Sequence, residues 1–484
     1  MKKYWVLFGF TLSLIGCGGD GGGPSQSISP APTVTINLSQ PKVTVGTSTL
    51  VSWSSTNATS CAASGAWSGA KATSGSASIS PSAGGQSIFV LTCNGAGGAS
   101  SAQVVLTVPI PVKRSSYENK LMAGQMLGPV PVPPTQVIPS KNESERITAG
   151  VAMADFFQEG SLSAVVFSNL EDANSMGGLG PSWATGYVYF FKYINGLWVN
   201  NTSKILKDAT GCISPRKVLV ADFNGDGKPD VFASCSGHDD YVDGKLPGEH
   251  PRLLLSQSDG SYTNIAFPLN CYCHSATAID LSGAGYADII VHDNSGGGLI
   301  YFVNNKDGSF TRDQTRLPGS ALPFGMTGEF SHGIWTVEAL EITKAGKYDL
   351  FLGGVDLINC NCGWSWSSKI YKNDGTDRWS DNSVIELPSL PGKVDVWDVI
   401  YRDGNIYILR VDFGTTQHVS ENMKPWEDDS MAIERVNIQT LQSTVIYEHK
   451  SLFSNGYTSV IEWIIYHDGK IKNFYNYPEI EAKL

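Results

Sequence analysis

The stretch RKVLVADFNGDGKPDVFAS, residues 216–234, decides how this chain is read. Val218 to Ala221 and Val231 to Ala233 are short apolar runs of strand length. Between them Asp222-Phe223-Asn224-Gly225-Asp226-Gly227-Lys228-Pro229-Asp230 concentrates Gly, Asn, Asp and Pro, the residues of a turn. Oxygen-bearing side chains stand at its positions 1, 3, 5 and 9: Asp222, Asn224, Asp226 and Asp230. In a tight loop alternate side chains turn to one side and can converge on a hard cation. Gly227 permits the positive φ that bends the backbone, the Lys228 carbonyl offers one more oxygen, and Asp230 closes the shell. Three carboxylates and an amide, with no His or Cys, select Ca2+ over zinc. A helix-flanked calcium loop is excluded, because position 12 is Ala233 where a bidentate Glu is required, and both flanks read as strands.

Working outward, the same unit recurs. AGVAMAD ends at Asp155, HSATAID at Asp280 and WTVEALE at Glu341, each a small-residue strand closed by an acid. Each is followed by a second apolar strand: SAVVF from Ser163, DIIV from Asp288 and DLFL from Asp349. Weaker copies are placed at Val394–Asp398 and Ser459–Glu462, giving acid spacings of 67, 58, 61, 57 and 64 residues. Outer-strand pieces ending in Asp259-Gly260, Asp307-Gly308 and Asp374-Gly375 recur with them. A four-stranded unit at this period predicts a β-propeller over residues 142–484, with six blades or, if residues 113–148 contribute, seven. Asp280/Ser282/Asp288 and Glu341/Thr343/Asp349 keep the frame of the turn, but Ala284 and Ala345 replace a needed acid. One bound calcium is therefore expected, with a weaker second at Asp280.

Composition sets the class. The chain has 484 residues, a net charge of −11, 52 glycines and 16% charged residues, against a usual charged share of about 25%. Low charge excludes a coiled coil, aperiodic glycine excludes collagen, and acidity excludes a general nucleic-acid binder. With 41% apolar residues it builds real cores. The length exceeds one core, so an all-β, multi-domain chain is expected.

The nine-residue turn between small-residue strands resembles the FG-GAP/VCBS repeats of integrin-like β-propellers, which implies the propeller and its calcium. The N-terminus, Lys2-Lys3 followed by the apolar run Tyr4 to Ile15, reads as a secretory signal over residues 1–16. Its end, Leu14-Ile15-Gly16-Cys17, resembles a bacterial lipobox. That resemblance implies lipidation of Cys17, and with Gly18 rather than Asp next, an outer-membrane lipoprotein. Residues 17–32 read as a flexible tether. Residues 33–108 alternate as short strands and predict a small β-sandwich. SWSSTNATSC (52–61), Trp67-Ser68-Gly69 and Leu91-Thr92-Cys93 resemble bacterial immunoglobulin-like modules, although Trp53 precedes Cys61, unlike the antibody order. Residues 109–141, with GPVPVPP at 128–134, read as a semi-rigid linker.

Apart from Cys17, eight cysteines remain, an even number in an exported chain, and predict disulfides. Cys61–Cys93 would staple the sandwich, and Cys212–Cys235 is plausible within one repeat. Cys271, Cys273, Cys360 and Cys362 are expected to bridge neighbouring repeats, with connectivity left open. All six propeller cysteines fall on the face opposite the calcium turn. Arg216, His274 and Trp335 sit there at equivalent repeat positions, with His238, His250, Trp364 and Trp366 on loops of the same face. Aromatic rings with polar partners on a rigid face suit a glycan or protein ligand at the cell envelope; lining the channel is the structural alternative. No nucleophile elbow, phosphate loop, dinucleotide fingerprint or paired-His zinc motif occurs. The expected function is a surface-anchored binding or adhesion lipoprotein, attached to the membrane through its lipid only. The alternatives are a lyase-like enzyme acting on an acidic polysaccharide and a ligand-free scaffold.

Overall fold

The computed structural model describes residues 29–126, 145–172, 182–238, 246–322, 333–356, 365–412, 430–450, 464–467, 469–473 and 481–483. Cys17, Cys360, Cys362 and Trp364 lie outside them, as do the signal segment and most of the tether. Two compact units divide the chain: residues 1–40, 49–79 and 87–106 in one, residues 41–48, 80–86 and 107–484 in the other. Both are built of antiparallel strands, so the chain is all-β.

The smaller unit pairs a three-stranded sheet (Thr33–Leu38, Thr49–Thr56, Ser74–Ile79) with a four-stranded one (Gly69–Lys71, Ser60–Gly65, Gly85–Gly95, Gly98–Val108). Alternation along Thr49–Thr56 buries Val51 and Trp53 and leaves Leu50 outward. The Trp53 indole lies where a side chain at Gly75 would come within 2.8 Å of it, so only glycine fits that strand position. Its ring packs edge-on against Trp67, which packs against Phe89 in turn. Cys61 and Cys93 are disulfide-bonded and stand directly opposite one another in adjacent strands. The bridge is thus a cross-strand staple within one sheet, unlike the inter-sheet bridge of antibody domains.

The larger unit contains a run of sheets that succeed one another along the chain. Four are four-stranded meanders, with first strands Pro215–Ala221, Cys273–Ile279, Ile334–Leu340 and Asp395–Arg402. They are preceded by a five-stranded sheet beginning with Glu145–Ala154 and followed by a three-stranded one beginning with Ile464–His467. Each first strand packs against the next. These sheets are the blades of a propeller, numbered 1 to 6 below. Burial follows: the first two strands of blades 2 to 4 are almost wholly buried, while an outer strand such as Tyr262–Ala266 buries only Tyr262 and is otherwise open to solvent.

The segment read as a linker begins inside this unit. Residues 116–126 form helix α1 (Ser116–Met126), which lies on the propeller axis and touches the first strands of blades 1, 2, 3, 4 and 6. It reaches blade 5 through Lys120, which donates to Asp398, and Tyr117, whose hydroxyl bonds the Tyr401 backbone. Its sequence, SYENKLMAGQM, carries no amphipathic stripe, because a helix surrounded by strands is contacted on all sides. Hydrophobic periodicity therefore could not reveal it.

Blade 5 corrects the repeat frame, while the copy expected at Ser459–Glu462 lies outside the described residues. From each ring position to the acid is six residues: Arg216 to Asp222, His274 to Asp280, Trp335 to Glu341. In blade 5 the residue matching Trp335 is Trp397, by its place in the strand register. The matching acid is then Asp403, not Asp398. Asp403 and Gly404, with φ of 49° and 76°, form a two-residue turn in place of the nine-residue loop. The shortened turn removed the motif that would have fixed the frame.

Candidate functional site

The turn 222–230 is organised by its acids. Asp222 accepts from the backbone N–H of Gly225 (2.6 Å) and Gly227 (2.8 Å). Asp230, buried, accepts from Phe223, Asn224 and Ser256 N–H groups. Burial pushes both carboxyls up, Asp230 to about 7. Asp226 accepts from Lys228 N and Ser256 Oγ, and the Lys228 ammonium lies 3.0 Å from its Oδ2. Asn224 Nδ2 donates to Ser256 O.

Sister turns repeat this wiring. Asp155 accepts from Glu159 and Gly160 N–H, Asp280 from Ala284 and Gly285 N–H. Asp288 and Asp349 tie their turns to the third strand through Asn304 N and Asn373 N, as Asp230 does through Ser256 N. The acids common to the repeats are turn staples first. What sets the 222–230 turn apart is the added Asn224 and Asp226. Its donor set, hard oxygens only, fits Ca2+. Among the described residues no three His, Cys, Asp or Glu side chains already converge as a cage, and Asp230 has both oxygens on N–H groups. Calcium would draw on Asp222, Asn224, Asp226, the Lys228 carbonyl and Asp230.

The opposite face is shaped by a recurrent bulge. In blade 3 Cys273 pairs with Asp293 and Ser275 with His292, leaving His274 as an extra residue. Blade 4 leaves Trp335 in the same way and blade 5 leaves Trp397. In blade 2 Arg216 and Lys217 together oppose Ser234. A bulge frees one residue from the ladder and re-aims its side chain. Here the re-aimed side chains meet: ring centroids are 4.6 Å apart for His274 and Trp335, and 5.2 Å for Trp335 and Trp397. Tyr272 extends the row, 4.9 Å from His274. At its basic end the Arg216 Nε donates to Ser236 Oγ. Burial, then the charge of Arg216 and the presence of His292, hold His274 well below the ordinary histidine range, so it is neutral. Among the described residues its Nε2, which is buried, has no hydrogen-bond partner.

Behind the row sits a buried ion cluster. Lys217 Nζ lies 2.7 Å from Glu338 and 3.2 Å from Asp398, and Lys120 of α1 lies 2.9 Å from Asp398. Burial opposes the charged form of Asp398, but Lys120 and Lys217 outweigh it and keep the carboxyl ionised. Two cations balance two anions in this low-dielectric setting. Beside the cluster a cavity of about 20 Å³, lined by Ser116, Lys120, Ala152, Lys217 and Glu338 among others, is of the size of one water.

Of the residues expected on the face, Arg216, His274 and Trp335 are brought into one row. His250 is exposed and turned to Phe267 O, His238 is half-buried away from the row's ring contacts, and Trp366 packs in the core of blades 3 and 4. Trp397, Tyr272 and the Lys217/Glu338/Asp398 cluster were not anticipated. Trp397 becomes readable once Asp403 is taken as the repeat acid, since it then lies six residues before it. Cys212–Cys235 is bonded as read. Cys271 and Cys273 are bonded to each other, which corrects the expectation that they bridge to a neighbouring repeat.

No family model matches this chain, and no curated relative does. Among solved structures, it is similar to a Bacillus licheniformis rhamnogalacturonan lyase (12% identity, 94% of this chain and 76% of that one, TM-score 0.33). An exotype rhamnogalacturonan lyase gives 12% identity over 88% and 85% of the two chains, with a TM-score of 0.34. A quinonprotein alcohol dehydrogenase-like protein from Bacteroides thetaiotaomicron gives 9% identity over 86% and 96%, with a TM-score of 0.27. Likeness at this level carries no argument about activity.

Proposed function

We propose that this protein is a surface-anchored binding lipoprotein whose propeller takes a glycan or protein ligand on the face that carries Arg216, His274, Trp335 and Trp397. The observation that supports this is the bulge row. Successive repeats spend a bulge on one side chain, and those side chains are a cation, a neutral imidazole and two indoles in ring contact. Among the described residues the buried imidazole Nε2 of His274 has no partner, which costs about 1–3 kcal/mol and which a ligand donor or acceptor could relieve. Indole faces bind sugar rings or apolar side chains, and Arg216 supplies charge. The lipid on Cys17 would anchor the chain, with the tether and sandwich as spacers. A glycan array probed with the wild type and with Trp335→Ala and Trp397→Ala variants tests the reading. We expect discrete binding by the wild type and at least tenfold weaker signal for each folded variant; equal signals discard the site. Formation of unsaturated uronate from an acidic polysaccharide would instead favour lyase chemistry on the same face.

The resemblance of the 222–230 turn supports one structural calcium. Calorimetric titration should give a single-site heat with the wild type that Asp226→Ala abolishes. No heat from the wild type sinks the assignment.

A further inference from the structure

We propose that the Cys271–Cys273 disulfide is a redox-sensitive latch that holds Tyr272 and His274 in the bulge row. The bond joins cysteines two positions apart, with their Cα atoms 5.2 Å from one another. Two residues of strand span about 6.6–6.8 Å, so the closed bond pinches the chain immediately before the bulge. Both ends of the pinch are anchored. Cys271 exchanges both backbone hydrogen bonds with Glu249, and Cys273 pairs with Asp293. Between them Tyr272 N donates to Asp293 Oδ1, and Tyr272 O accepts from Asn294 N. The tyrosine ring then rests on His274. Pinch, tyrosine and histidine form one mechanical unit at the end of the row.

Two comparisons within the molecule separate a latch from a structural staple. First, the bulges of blades 4 and 5 form with no cysteine in the pairs that flank them, so a bulge of this kind does not need a disulfide in order to form. Second, the chain-entropy contribution of a disulfide grows with the loop it closes. Cys271–Cys273 closes a sequence separation of 2, against 23 for Cys212–Cys235 and 32 for Cys61–Cys93. Of the three bridges among the described residues, the short one gains least from the chain, so a dithiol should open it first. Burial does not discriminate, since Cys212, Cys235, Cys271 and Cys273 are all buried. The step is thiol–disulfide exchange with a dithiol. One thiolate attacks a sulfur of the pair and makes a mixed disulfide, and the second thiol displaces it. Two electrons and two protons pass to Cys271 and Cys273, and the dithiol leaves as its own disulfide. With the bond open, the segment relaxes toward strand spacing and Tyr272 moves off His274.

The full chain, incubated with graded dithiothreitol, alkylated and peptide-mapped, gives the test. Cys271 and Cys273 should be labelled at a dithiol concentration about tenfold below that needed for Cys212 and Cys235. At that concentration the His274 ring resonance, assigned with His274→Gln, should shift while the melting temperature is retained. The Cys271→Ser/Cys273→Ser variant should show the shifted resonance with no dithiol present. Labelling together with or after Cys212 and Cys235 overturns the proposal, as does labelling without movement of the His274 signal. None of these readouts uses a ligand, so the latch stands or falls separately from the binding reading.

Discussion

At the residue scale, His274 concentrates the physics of the site. It is neutral and buried in the fold, next to Arg216 and His292, and exposed in the unfolded chain. Its folded pKa lies below the unfolded value near 6.5. Below that pH the unfolded chain therefore takes up a proton that the folded chain refuses. Stability that is present above about pH 6.5 is lost as the pH falls, at up to about 1.4 kcal/mol per unit. Urea midpoints measured between pH 7.5 and 5 should fall for the wild type and fall less steeply for His274→Gln. Parallel slopes would show that other groups control the acid limb. The sequence displayed the row in part, since Arg216, His274 and Trp335 share a repeat position. It hid Trp397, because the blade 5 turn lacks the loop that sets the frame.

Elements show why that frame is robust. Each first strand must be apolar on both faces, since it lies between neighbouring blades and the axis, and this produces the runs of Ala, Val and Ile. The turn acids Asp155 and Asp230 cap N–H groups of Gly160, Phe223 and Ser256 that would otherwise be buried without partners. Helix α1 is the element that sequence pattern missed, for want of an amphipathic stripe. Its docking depends on charge as well as contact. Lys217→Met leaves Asp398 and Glu338 with Lys120 alone, so a loss of about 3–5 kcal/mol is expected. Chemical denaturation checks this. The double variant Lys217→Met/Asp398→Leu, which removes both charges, should recover part of the loss. A single variant as stable as the wild type would mean that the cluster is solvated.

For the molecule as a whole, α1 gives the propeller a closure that is independent of any one strand pair. Its contacts reach first strands throughout the ring, so loosening it should weaken the blades together. Tyr117 is buried among Leu340, Phe351 and Val396. Tyr117→Ala should cost about 3–5 kcal/mol. Hydrogen exchange should then speed up in several blades, not in one; protection lost from blade 5 alone would contradict this role. The sequence by itself determined the all-β class, the repeated strand–turn–strand unit and the turn acids, and it made the Cys212–Cys235 pair plausible. All of these are local, set by residues within one repeat, where period and spacing are sufficient. Tertiary structure alone decided the axial helix, the Cys271–Cys273 bond, the frame of blade 5 and the assembly of His274, Trp335 and Trp397 into a row. Those depend on which side chains the ring brings together from positions some 60 residues apart, and on β-bulges, which leave no mark in hydrophobic period.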